Sequence, residues 1–176
     1  MPSVIAKPSL GAALAAIAAK DVNKLEASRN RAPWIQKYWP ATDYPEGHTN
    51  REPYCAAAVC YWVAEWLKSP EVLANLGMTA AQAERWRCKS PRAFGHLEWA
   101  RAKGVRILSD APGLRLQAGD LMVFDMSHIG VVESQTGNTV YTIEANTGAS
   151  GGRDGDGCFR KIRPRSIARA FIRLVR

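Results

Sequence analysis

Residues 51–63 read Arg-Glu-Pro-Tyr-Cys-Ala-Ala-Ala-Val-Cys-Tyr-Trp-Val, and the place of Cys55 in that run decides how the rest of the chain is read. Pro53 fixes φ and lacks an N–H, which suits the first turn of a helix. The residues after it favour a helix as far as Ser69-Pro70, where the chain must leave it. A cysteine in a first turn faces unpaired backbone N–H groups and the positive end of the helix dipole, and both favour thiolate over thiol. Within the same helix Val59, Trp62, Val63 and Trp66 recur at helical spacing and read as its buried face. Cys60 lies ~140° around the helix from Cys55 and reads as core.

A sulfur nucleophile needs a base, and among three histidines only His128 falls among the strands. Helices are expected at 9–28, in part of 32–50, at 53–69, 70–76 and 79–87, and from Ser90 to a stop at Gly104. After Gly104 come short β-branched or aromatic runs at 105–108, 121–124, 129–133, 140–144, 158–162 and 168–175. Helices first and antiparallel strands second make an α+β chain. Its 176 residues suffice for one domain with a full core. A hairpin pivoting at Thr136 would set His128 opposite Glu144 on one face, with Cβ atoms ~5 Å apart and Asn146 two residues further along. A slip of one residue would turn Glu144 away. In that register Glu144 or Asn146 orients the imidazole, while amides at the start of the Cys55 helix meet a developing oxyanion. His48 and His96 have no partner recognisable in the sequence.

The net charge of +8 implies an anionic partner, or serves solubility alone. Arg160 to Arg176 holds seven basic residues and no acidic one; it reads as a charged edge strand or as an attraction to envelope polymers. No nucleic-acid motif accompanies the charge, so nucleic acid is not the expected partner. Cys55, Cys60, Cys88 and Cys158 lack both a disulfide framework and the paired spacing of a zinc site, and no cofactor or metal is implied. The loop 148–157 lacks the pattern of a calcium loop and reads as a rim of the cleft. No run reaches the ~18 apolar residues of a membrane span. Leu10–Ala19 reads as an amphipathic helix rather than a secretory signal.

The Cys55 run, Gly119-Asp120-Leu-Met-Val-Phe, His128-Ile-Gly-Val-Val and Ile143-Glu144-Ala-Asn146-Thr resemble, in order and spacing, the motifs of CHAP-domain amidases. The segment 154–163 also looks like the tail of some phage and bacterial members. The resemblance covers about Tyr38 to Arg176 and leaves 1–37 as a helical lead to a CHAP-like core, 38–176, of one catalytic domain. Departures are small: Tyr54 where tryptophan is commoner, and alanine where phenylalanine often follows in the helix. The resemblance implies a papain-like fold and cleavage of amide bonds in peptidoglycan through a thioester. It assigns the nucleophile to Cys55, the base to His128 and orienting roles to Glu144 and Asn146. Tyr54 and Ser127 are the expected substrate contacts. A catalytically idle wall-binding module on the same fold is the alternative. The expected setting is synthesis in the cytoplasm without a clear signal, then action in the periplasm or wall after phage lysis or delivery by a secretion system. In the effector case an immunity or inhibitor protein is the expected partner.

Overall fold

A computed structural model describes residues 8–148 and 155–175. Six α-helices precede a six-stranded antiparallel sheet, the α+β order expected from the sequence. The helices are α1 (Leu10–Ala19), α2 (Pro33–Gln36), α3 (Cys55–Trp66), α4 (Pro70–Leu76), α5 (Ala80–Trp86) and α6 (Ala93–Lys103). The strands are β1 (Arg106–Leu108), β2 (Leu121–Phe124), β3 (His128–Thr136), β4 (Thr139–Thr147), β5 (Gly157–Pro164) and β6 (Ala168–Arg173). They lie in the order β1-β6-β2-β3-β4-β5.

Helix ends follow local chemistry. Ser9 accepts a bond from the Ala12 amide at 3.1 Å, and Thr79 and Gln82 close a reciprocal capping box at the start of α5. α1 ends at Ala19, earlier than the expected 28, and α6 starts at Ala93 rather than Ser90. α3 begins at Cys55 itself, so Pro53 precedes the helix instead of opening it.

The sheet has two apolar faces. Leu121, Val123, Ile129, Val131, Ile143, Ala145, Ala170 and Ile172 join the main core with residues of α1, α3 and α6. Ala56, Ala57 and Ala58 are fully buried, and their small side chains let α3 lie close to the sheet. Met122, Phe124, Val132, Val140 and Phe171 form a smaller cluster with Leu114, Leu116, Met126 and Ile167 packed against it.

The basic C-terminal segment departs from expectation. β5 is an edge strand, but β6 is inserted between β1 and β2, because Ala170, Phe171 and Ile172 are all buried and need neighbours on both sides. Its arginines are paired: Arg160 with Glu133, Arg163 with Glu144, Arg165 with Asp110, Arg169 with Asp125 and Arg173 with Asp120. Charge that looked available to an external polymer is largely used within the fold.

Asp21 ties the first helix to α3. One carboxylate oxygen accepts from Lys24 and Lys37 (2.7 and 2.6 Å), the other from the Tyr38 hydroxyl and the Trp62 indole (2.7 and 2.9 Å). Burial opposes the charge, but these four donors outweigh it and hold Asp21 below the ordinary carboxylate range. Asp21→Ala leaves a buried hydroxyl and indole N–H without an acceptor and is expected to lose about 2–4 kcal/mol in denaturant unfolding. A folded-state pKa below the unfolded one means this contribution is present above about pH 4 and disappears as pH falls through the lower folded value. An Asp21→Ala protein as stable as the parent at pH 7 would contradict this account.

Candidate active site

Cys55 is the first residue of α3 and is 7% exposed. No side chain caps this helix start, so its first amides have no intrahelical partner. The sulfur lies on the wall of a groove of about 450 Å3, lined also by Trp39, Tyr44, Arg92, Phe94 and Ser127. A larger depression of about 730 Å3, between 110–116 and Arg165, shares no residue with this groove.

His128 opens β3, and its ring interacts with Cys55. Nε2 donates to Glu144 Oε2 at 3.0 Å, while Nδ1 is buried without a hydrogen-bond partner. Burial disfavours the imidazolium. The Cys55 sulfur beside the ring outweighs it, with Glu144 adding to the effect, and His128 is pushed up to about 9. Phe124 packs beside the ring, 5.4 Å between centroids.

The contact with Glu144 forms in a different register from the expected one. The turn pivots between Gly137 and Asn138: Thr136 pairs with Thr139, Gln135 with Val140 and Ser134 with Tyr141. A bulge at Glu133 then shifts the ladder, so that Val132 pairs with Thr142 and Val131 with Ile143. Without the bulge Glu144 would lie across from Val131, on the face that packs against the helices. With it, Glu144 comes to the face of His128, one diagonal step away. Gly130 is what lies across from it: a Cβ there would stand 2.6 Å from Glu144 Cγ and 2.9 Å from the Ile143 carbonyl oxygen.

Glu144 is fully buried, and its charge is matched by three donors. Arg163 donates to both oxygens, at 2.9 and 2.6 Å, and the Thr142 hydroxyl donates to Oε1 at 2.6 Å. Burial opposes ionisation, but Arg163 and His128 prevail and hold the carboxyl down to about 2. Glu144 is thus held as an anion against Nε2 of the His128 ring.

The remaining expected residues divide. Ser127 is exposed, in a left-handed conformation (φ 59°), and lines the groove. Tyr54 does not: it is buried, its hydroxyl donates to Glu26 at 2.9 Å, and its ring stacks on Tyr38. Its expected substrate contact is corrected to a supporting place behind the helix start. Asn146 is buried at a second bulge (φ 54°), and its Oδ1 has no hydrogen-bond partner. The orienting bond to Nε2 comes from Glu144, so the orienting role expected for Asn146 has no contact behind it. In the loop 148–157 expected to rim the cleft, 149–154 lie outside the described residues. Arg163 was missed by sequence reasoning, since one arginine among seven cations carries no mark of its target. His96, expected to have no partner, lies 3.7 Å from Cys60 Sγ.

A family model described as CHAP domain matches residues 43–146, more than half of the chain. The match includes Cys55, His128, Glu144 and Asn146 and stops before β5 and β6, short of the expected Arg176 limit. No curated protein matches the chain.

NMR titration of the imidazole is expected to give His128 a midpoint of about 9. Cys55→Ala should lower it most, and Glu144→Gln should lower it less. Gly130→Ala, which displaces the carboxylate without removing it, should act in the same direction as Glu144→Gln. An unchanged midpoint in Cys55→Ala would show that the ring does not sense the sulfur.

Proposed function

The chain belongs to the CHAP-domain family of peptidoglycan hydrolases, and from that premise we propose that it cleaves an amide bond of peptidoglycan by cysteine-dependent acyl transfer. The observation that carries this reading is the Cys55–His128–Glu144 series: a thiol at an uncapped helix start, an imidazole pushed up by it, and a buried carboxylate on the far ring nitrogen.

In this reading the Cys55 thiolate attacks the carbonyl carbon, and the C=O pair moves onto oxygen, where first-turn amides of α3 stabilise it. Collapse expels the amine, which takes the proton of the His128 imidazolium, and leaves a thioester on Cys55. Neutral His128 then takes a proton from water as the water attacks the thioester. Expulsion of the thiolate yields the carboxylic acid and restores the imidazolium. Glu144 keeps the ring oriented and its charge balanced throughout, with Arg163 and Thr142 holding the carboxylate in place.

The groove supports a peptide as the part of the wall polymer that is bound. Aromatic side chains of Trp39, Tyr44 and Phe94 supply apolar walls, and Glu52, Arg92 and Glu98 bring charges of both signs. Residues 1–37 are proposed as part of the same catalytic unit, supported by the Asp21 bonds to Tyr38 and Trp62. Action is at the wall, in lysis or in antagonism between bacteria. In the latter case a tight inhibitor would fill the Cys55 groove.

Purified sacculi should release muropeptides with the parent protein, identified by mass, and Cys55→Ala should reduce the rate by about a thousandfold or more. Equal product from both proteins, or none from either, would overturn the reading in favour of an idle wall-binding module. The rate should fall as pH rises through about 9, because the imidazolium that protonates the leaving amine is then lost. Glu144→Gln should lower kcat by about 10^2- to 10^4-fold with a smaller effect on KM.

A further inference from the structure

Cys60, Cys88 and His96 come from α3, from the segment after α5 and from α6, and their ligand atoms all lie within 4.8 Å of one another. All three residues are buried, at 1%, 6% and 1% exposure. The space beside them is closed by Val63, Trp99, Leu121 and Leu174. We propose that these three side chains form a binding site for a thiophilic d10 metal ion, Zn2+ foremost, distinct from the catalytic groove.

Three observations converge on it. Cys60 Sγ and His96 Nε2 are 3.7 Å apart. Sulfur and nitrogen ligands about 2.3 and 2.0 Å from one ion, at tetrahedral to trigonal angles, stand about 3.5–3.7 Å apart. His96 Nδ1 lies 3.2 Å from the Arg92 carbonyl oxygen, and an N–H donated there leaves the Nε2 lone pair directed at the sulfurs. That is how a backbone carbonyl fixes the tautomer of a metal-ligating histidine. Finally, all four cysteines are free thiols, so neither sulfur is consumed in a disulfide.

Charge favours a divalent ion. As thiols, Cys60 reaches the Ser90 carbonyl at 3.4 Å and Cys88 the Gly95 carbonyl at 4.0 Å. One Zn2+ held by two thiolates and a neutral imidazole makes a site of zero net charge in an apolar enclosure. The spacing of the ligands explains why the sequence showed none of this: two cysteines 28 positions apart and a histidine eight further on match no paired motif.

The site would act on the groove. The segment between Cys88 and His96 supplies Pro91, Arg92, Ala93 and Phe94 to the groove lining, while Cys60 sits on the helix that Cys55 begins. An ion bound by all three would pin that wall to the nucleophile helix.

The test uses the full chain, reduced and freed of metal with a chelator. Co2+ titration should give thiolate-to-cobalt charge-transfer absorption that saturates at one equivalent and is displaced by Zn2+. Cu+ in a separate arm distinguishes a trigonal monovalent ion from a divalent one, and either ion held by these atoms sustains the site. X-ray absorption of the loaded protein should show two sulfurs at about 2.3 Å and a nitrogen at about 2.0 Å. Cys88→Ser and His96→Ala should weaken binding by at least about 100-fold, whereas Cys55→Ala should leave it unchanged. The proposal is overturned if no ion binds stoichiometrically, if binding survives Cys88→Ser, if it is lost in Cys55→Ala, or if mild oxidation simply joins Cys60 to Cys88 while metal has no effect. The absorption measurement on the unaltered chain decides the matter even where a variant fails to fold. None of these readouts depends on hydrolysis, so their failure leaves the proposed activity standing.

Discussion

The Glu144 carboxylate is removed from water entirely, with Arg163 donating to both of its oxygens, Thr142 to one and His128 to the other. An isolated carboxylate there would be neutralised by protonation; this one stays ionised because a guanidinium fork matches its two oxygens. Once ionised, it fixes the side of the His128 ring from which the proton is given, and leaves Nδ1 as the nitrogen without a partner. The histidine therefore depends on the arginine that holds its carboxylate. The support is also local to the sheet: Arg163 lies on β5 beside β4, and its guanidinium packs over Phe124, which in turn packs on the imidazole.

That arrangement places demands on the backbone. The bulge at Glu133 turns Glu144 to the required face, and Gly130 leaves the volume its side chain occupies. On the opposite face Val131, Ile143 and Ala145 fill the core under α3. One strand pair thus packs a hydrophobic layer with one set of residues and holds a buried charge network with the other, and the bulge decides which residues go where. Asp21 plays a comparable part among the helices: it satisfies the buried Tyr38 hydroxyl and Trp62 indole at once, and so fastens the start of the chain to the helix that carries Cys55.

The sheet carries little of the charge imbalance to the outside. Five of the arginines after residue 159 are committed to carboxylates on β3, on β4 or in segments outside the strands, and two of those carboxylates, Asp120 and Glu144, are buried. Asp120 of the Gly119-Asp120 motif is held by Arg173 at 2.9 and 2.7 Å and accepts the Gln117 amide, which gives that motif a structural use at the entry to β2.

Cys55, the helix it begins, and the alternation of helices then strands follow from neighbours in the chain: helix formers after a proline, β-branched runs between turn residues, a cap at Ser9 and stops at Pro70 and Gly104. Such preferences act over a few residues and are written in those residues. The meeting of His128 with Glu144 was readable only up to the face, because a register offset of two preserves the side and hides the bulge that produces it. Arg163 beside Glu144, Tyr54 turned away from the groove, β6 inside the sheet and Cys60, Cys88 and His96 gathered at one point were decided by the tertiary structure alone. Each depends on side chains distant in sequence competing for the same buried volume or the same charge, and that competition has no periodicity along the chain.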